Sequence, residues 1–120
     1  MNVFDSSALL AFLHGEKGAV HAEEALKVGG VCGAANWSEV AQKVQSHGRN
    51  WDLASSLLTS YGLRVEAVTV ADAEWAARRW VRGEGLSLAD RLCMALGERL
   101  DADIWTADQA WAGGRIRQIR

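Results

Sequence analysis

Short apolar segments alternate with helix-spaced runs along this chain, and that alternation constrains its fold most. Val3-Phe4, Val31 to Ala35 (VCGAA), Leu63 to Val68 and Ile104-Trp105 read as strands. Val31 to Ala35 is apolar without interruption, as a strand buried on both faces requires. A run with helical spacing follows each of the first three. Strand then helix, repeated, calls for parallel pairing with helices covering both faces of the sheet. With a last edge strand over Ile116 to Ile119, the sequence predicts an α/β protein. It is a three-layer α/β/α arrangement around a central parallel sheet of about five strands.

The opening stretch, MNVFDSSALLAFL, adds chemistry to this pattern. Asp5 follows the first strand directly, and Leu9, Leu10, Phe12 and Leu13 then repeat at helical spacing. An acid at the carboxyl end of a parallel strand points into the crevice where open α/β sheets bind ligands. Asp5 could equally cap the first helix, because Asp and Ser satisfy free N–H groups there.

Proline is absent, so glycine punctuates the chain. Helical spacing covers Ala19 to Lys27 and stops at Gly29-Gly30. A third helix is expected from about Trp37 to Ser46, capped by Asn36 or Ser38, with Glu39 in its first turn. Trp51 to Ser60 and Ala73 to Arg82 follow, the latter with Trp80 and Val81 on its apolar face and Arg78, Arg79 and Arg82 on its basic side. Ser87 opens a long apolar helix through Leu100, with Asp90 completing a capping-box pattern. Thr106-Ala107-Asp108 ends the fourth strand, and a short helical piece through Trp111 comes next.

The 120 residues suggest one domain spanning 1–120, large enough for a core without disulfides or structural metal. The net charge of -2 gives no bulk cationic field, so nucleic-acid binding would need local basic patches. Cys32 and Cys93 lie in apolar segments and read as buried reduced thiols. His14, His21 and His47 lack zinc-ligand spacing. No signal peptide and no membrane-spanning run is visible, so a cytoplasmic protein is expected, with no membrane partner. Of the six tryptophans, most should be core and one or two should face a partner.

Asp5, Glu39, Asp90 and Asp108 share one placement: each lies just after a strand or near a helix start. A parallel sheet gathers such positions on one edge. Converged carboxylates repel one another unless a cation neutralises them. Oxygen ligands without His or Cys point to Mg²⁺, with Mn²⁺ able to substitute. Asp103 opens the fourth strand at the opposite end and is excluded.

The segments VFDSSALLAFL, AANWSEVAQKV, LSLADRLCMALGERL and IWTAD together resemble the PIN-domain ribonucleases, in particular the VapC toxins of toxin–antitoxin pairs. The resemblance runs the length of the chain in the family's order. It implies a PIN-like fold and an acidic quartet of Asp5, Glu39, Asp90 and Asp108, with Asp5 and Asp90 as principal metal positions. Ser6 and Thr106 match supporting positions. It further implies metal-dependent endoribonuclease activity through metal-activated water, on RNA such as tRNA or rRNA. A cognate antitoxin and a homodimer are implied as well. Two other readings keep the fold: a PIN nuclease of RNA processing, and a catalytically silent binding module. A receiver-like phosphorylation module is opposed by Ser6 after Asp5, Thr69 after the third strand, and the lack of any Lys beyond Lys43.

Overall fold

The computed structural model describes every residue, Met1–Arg120. Five strands, β1 (Asn2–Phe4), β2 (Val31–Gly33), β3 (Arg64–Glu66), β4 (Asp103–Thr106) and β5 (Ile116–Gln118), form one sheet ordered β3-β2-β1-β4-β5. All four pairings are parallel. Six helices connect them: α1 (Ser6–His14), α2 (Ala19–Val28), α3 (Ala34–Ser46), α4 (Trp51–Ser60), α5 (Val70–Arg79) and α6 (Leu88–Leu100).

Two apolar clusters sandwich the sheet. On one face Phe4, Leu9, Leu26, Cys32, Val40 and Val44 join β1 and β2 to α1, α2 and α3. On the other, Val3, Val31, Cys93, Leu96 and Ile104 join the strands to α6. Alternate residues of β1 thus serve opposite cores, as strand pleating dictates. The contact of α6 with β4 is close. A Cβ on Gly97 would lie 2.5 Å from Ile104 Cδ1, so any larger residue there would force the Ile104 side chain to shift.

The chain order makes a switch point beside β1. From β1 the chain winds outward through β2 to β3, then returns to the other side of β1 for β4 and β5. In open α/β sheets the crevice at such a reversal, above the carboxyl ends of the strands, is where ligands bind. Asp5 follows β1 and Thr106 ends β4, so both stand at that crevice.

Several boundaries differ from those expected. Ala34 and Ala35 begin α3 rather than end β2, because alanine favours helix over strand. Asn36 and Ser38 are therefore inside α3, which Gly33 precedes without a side-chain cap, and Glu39 falls in its second turn rather than its first. Helix α5 starts at Val70, where Thr69 and Asp72 form a capping box, and ends at Arg79. Trp80 is extended, and it and Val81 lie exposed at 51% and 55% instead of packing inward. Residues 108–111 form turns, not a helix. Edge strand β3 leaves Val65 largely exposed, and α4 buries Leu58 but leaves Leu53 and Leu57 outside. Among the tryptophans, only Trp111 is fully buried; Trp37, Trp51, Trp75 and Trp105 are half-buried.

Candidate active site

Asp5 is where the fold concentrates its polar strain. The side chain is 3% exposed between the first strand and the first helix. Its backbone N–H donates to the Trp105 carbonyl at 3.1 Å, which extends the β1–β4 pairing and fixes the side chain over the switch point. It also caps α1: Oδ1 accepts the Ala8 N–H at 2.8 Å. The capping and crevice readings of Asp5 are thus both true. Such caps contribute about 1 kcal/mol.

The remaining contacts of Asp5 come from hydroxyls. Thr106 Oγ1 donates to Oδ2 at 2.6 Å, and Ser7 Oγ lies 2.8 and 2.9 Å from the two carboxylate oxygens. Ser7 Oγ also accepts the Ala107 N–H at 2.9 Å, and Thr106 Oγ1 accepts the Asp108 N–H at 3.0 Å. These bonds tie α1 to the end of β4. Every donor is neutral. Burial raises the Asp5 pKa, the bonds from Thr106, Ala8 and Ser7 oppose the rise, and the Asp90 charge adds to it, leaving it at about 6. Desolvation without a counter-charge explains the direction.

Glu39 is held by a second set of bonds. Ser6 Oγ donates to Oε1 at 2.9 Å and Asn36 Nδ2 to the same oxygen at 3.2 Å. Asn36 Nδ2 also faces the Ala89 carbonyl at 3.4 Å, which links α3 to the start of α6. Two acceptors fix the amide orientation, and Oδ1 is consequently buried without a donor. Leaving an acceptor so costs about 1–3 kcal/mol.

Asp90 stands at the third position of α6. Its Oδ2 accepts the Ser87 N–H at 3.0 Å, completing the expected capping box with Asp in place of Glu. Its proximity to Asp5 is expressed in the Asp5 pKa. Cys93, one turn further along α6, feels the same convergence. Burial raises its thiol pKa, and the charges of Asp5, Asp90 and Glu39 contribute. Both cysteines are free and buried, as expected.

Asp108 is the outlier. It is exposed, and its Oδ1 turns away to accept the Ala110 N–H at 2.9 Å. Only its backbone N–H, through Thr106, joins the network. One bonded set therefore holds Asp5 with Thr106 and Ser7, a second holds Glu39 with Ser6 and Asn36, Asp90 lies near enough to act on Asp5, and Asp108 stays at the margin. Ser7 and Asn36 are the residues the sequence reading missed. Ser7 looked like an ordinary helix-start serine, and Asn36 like a cap.

The donor set fits a hard divalent cation. Glu39 Oε2, Asp90 Oδ1 and Asp108 Oδ2 accept no hydrogen bond from the protein, and no Lys, Arg or His contacts the buried Asp5. No three His, Cys, Asp or Glu side chains stand close enough to enclose an ion. Mg²⁺ does not require such a cage, since it keeps several waters and binds through one or two carboxylates.

Comparison with known proteins agrees with this fold. No curated protein sequence matches the chain. Among solved structures, a toxin–antitoxin complex from Klebsiella pneumoniae superposes with a TM-score of 0.76 at 17% identity, covering 100% of this chain and 98% of that one. VapC20 from Mycobacterium tuberculosis, a toxin that cleaves the sarcin–ricin loop, superposes with a TM-score of 0.72 at 18% identity, covering 91% of each chain. At those identities the likeness is one of fold. The PIN domain family model matches residues 3–113, nearly the whole chain, and the protein therefore belongs to the PIN domain family.

Proposed function

We propose that the protein is a divalent-metal-dependent endoribonuclease and the toxin of a toxin–antitoxin pair of the VapC type. The observation that carries the reading is the Asp5 carboxylate: buried at the sheet's switch point, close to Asp90, and held only by neutral donors. The cap on α1 offsets only part of the cost of burying this acid, since desolvation without a counter-ion is unfavourable. A cation that arrives with function removes the conflict. Membership of the PIN family and the fold shared with two toxin structures support the same reading.

Asp5 and Asp90 would be the principal ligands of Mg²⁺ or Mn²⁺, with Glu39 and Asp108 completing the acidic quartet. The bound ion supplies neutralisation of the diester's negative charge and activation of water. The chain's own residues do the positioning. Thr106 and Ser7 lock the Asp5 carboxylate in one orientation. Ser6 and Asn36 occupy Glu39 Oε1 and leave Oε2 to accept a proton from a water in the crevice. No protein nucleophile is needed for direct hydrolysis.

An RNA substrate, tRNA or rRNA by the resemblance, a cognate antitoxin, a homodimeric state and a cytoplasmic location complete the proposal. No helix is long and apolar enough to cross a membrane. The test is hydrolysis of RNA by the purified protein with Mg²⁺ or Mn²⁺ added and withheld. Cleavage should require metal and vanish in Asp5→Ala and Asp90→Ala proteins that keep the native circular dichroism spectrum. Cleavage that survives both substitutions defeats the nuclease assignment. Growth arrest on expression, relieved by the neighbouring gene, separates a toxin from a nuclease of RNA processing.

A further inference from the structure

The loop between α5 and α6 carries a feature that the acidic crevice does not use. Helices α5 and α6 are antiparallel. Arg99, near the end of α6, pairs with Asp72 at the start of α5, while Arg91, near the start of α6, donates to the Ala76 carbonyl at 2.7 Å. The chain leaving α5 at Arg79 therefore turns and re-enters α6 at Ser87, the cap of the helix that bears Asp90. Residues 80–86 accordingly border the rim on which Asp90 stands.

This loop is braced rather than loose. Arg79 grips Glu84 with both guanidinium nitrogens, at 2.6 and 2.9 Å. Gly83 and Gly85 take φ values of +79° and +86°, which an L side chain rarely adopts. On this frame Trp80 is 51% exposed. The Arg82 guanidinium lies 5.5 Å from the indole centroid, and neither Arg82 nor the nearby Arg78 has a carboxylate partner. A large aromatic ring left in water, with an unneutralised cation stacked on it, gains nothing from the fold itself.

We propose that Trp80 and Arg82 form a platform that stacks an unpaired base of single-stranded RNA and holds its phosphate while the chain crosses the acidic rim. The inference rests on the nuclease reading above. An indole face accepts any base, and a guanidinium beside it meets the backbone anion. The charge pattern favours RNA over a protein partner. The rim repels a polyanion, and the whole chain carries a charge of -2, so affinity has to come from local arginines flanking the site.

The probe is a fluorescein-labelled, random-sequence single-stranded 12-nucleotide RNA, titrated with the full chain in EDTA and read by anisotropy, with an RNA duplex in parallel. Trp80→Ala should weaken single-strand binding by about five- to a hundred-fold, and Trp80→Phe should restore most of it. Arg82→Gln should weaken binding and reduce the salt slope by about one. Duplex binding should change little in Trp80→Ala. Metal-dependent hydrolysis of bis-p-nitrophenyl phosphate by the wild type reports separately on the nuclease reading. Wild-type hydrolysis of that diester without single-strand binding, or unchanged binding in Trp80→Ala, overturns the platform and leaves the nuclease standing. Binding lost in Trp80→Ala with no diester hydrolysis in the wild type does the reverse. Conversion of a dimer to a monomer by Trp80→Ala in sedimentation, with RNA affinity intact, makes the surface an interface between copies and also overturns the proposal.

Discussion

The two ends of β4 carry acids in opposite circumstances. At its amino end, Asp101 and Asp103 are met by Arg115, and Asp103 also by Arg117 at 3.6 Å. At its carboxyl end, Asp5, Glu39 and Asp90 surround the crevice with no arginine or lysine among their partners. The chain has ten arginines, so the shortage at one end is placement and not supply. Asp103 receives a cation from the chain. Asp5 receives none, and under the proposed function a bound metal would supply it, which separates Asp103 from Asp5 although both flank the same sheet. Asp72 extends the contrast: it is buried like Asp5, but Arg99 bonds both of its oxygens at 3.0 and 3.1 Å.

The largest expected effect comes from removing the charge at Asp5. Asp5→Asn keeps an acceptor for the Ala8 N–H, so the cap survives, but it removes the anion. RNA cleavage should fall to background. Stability should move the other way. The folded pKa of about 6 lies above the ordinary 3.8, so the folded state holds the proton more tightly than the unfolded one. The stabilisation from protonation is complete below about 3.8 and is lost as pH rises through about 6. At pH 7 the ionised group therefore costs the metal-free fold about 3 kcal/mol, by the usual conversion of 1.36 kcal/mol per pKa unit. Asp5→Asn should recover a large part of that in urea melts at pH 7, and the gain should vanish near pH 4. A variant less stable than wild type at pH 7 would mean that Asp5 is a structural acid like Asp72.

Breaking the paired acid should do the opposite. Burial alone pushes the Asp72 pKa up. The bonds from Arg99 and Thr69, and the Arg99 charge, outweigh it and hold the carboxyl below its usual value. The stability this gives is present above pH 3.8 and is lost as pH falls through the lower folded pKa. Arg99→Gln should cost about 2 kcal/mol, less than the 3–5 kcal/mol of a fully buried pair because Arg99 is a third open to solvent. Diester hydrolysis by the protein that remains folded should be unchanged. Loss of hydrolysis in folded Arg99→Gln would place this clasp in the active machinery and erase the distinction between paired and unpaired acids.

Much of this contrast can be read from the residues alone, and the reason it stops is physical. The strands were legible because Val3-Phe4, VCGAA and Ile104-Trp105 are short apolar runs, and the parallel sheet followed from their alternation with helices. The acids Asp5 and Asp90 were legible because each directly follows a strand or opens a helix. Ser7 and Asn36 were not, since their roles depend on partners 99 and 53 residues away along the chain, Thr106 and Ala89 respectively. The Asp72–Arg99 clasp spans two helices whose antiparallel packing no local pattern states. Trp80 was misplaced because helical spacing continues past Arg79, while the backbone leaves the helix there.

The smallest effect is expected at the amino end of β4. Arg115 pairs with Asp101 and Asp103 on an exposed surface, where Arg115 is half open and Asp101 almost wholly so. Such pairs gain little in water, because solvent screens the charges and the long side chain loses freedom when held. Arg117 remains beside Asp103 when Arg115 is removed. Arg115→Gln should therefore leave the melting temperature within experimental scatter at moderate salt, and diester hydrolysis and metal affinity unchanged. Raising the salt should narrow any residual difference further. If Arg115→Gln instead created a second Mn²⁺ site at Asp101 and Asp103, detectable as extra binding stoichiometry, the arginine would be acting as a built-in stand-in for a cation. The comparison between the two ends of β4 would then be sharper than stability alone can make it, because the same strand would show an acid pair with its cation supplied by the chain and another left to solution.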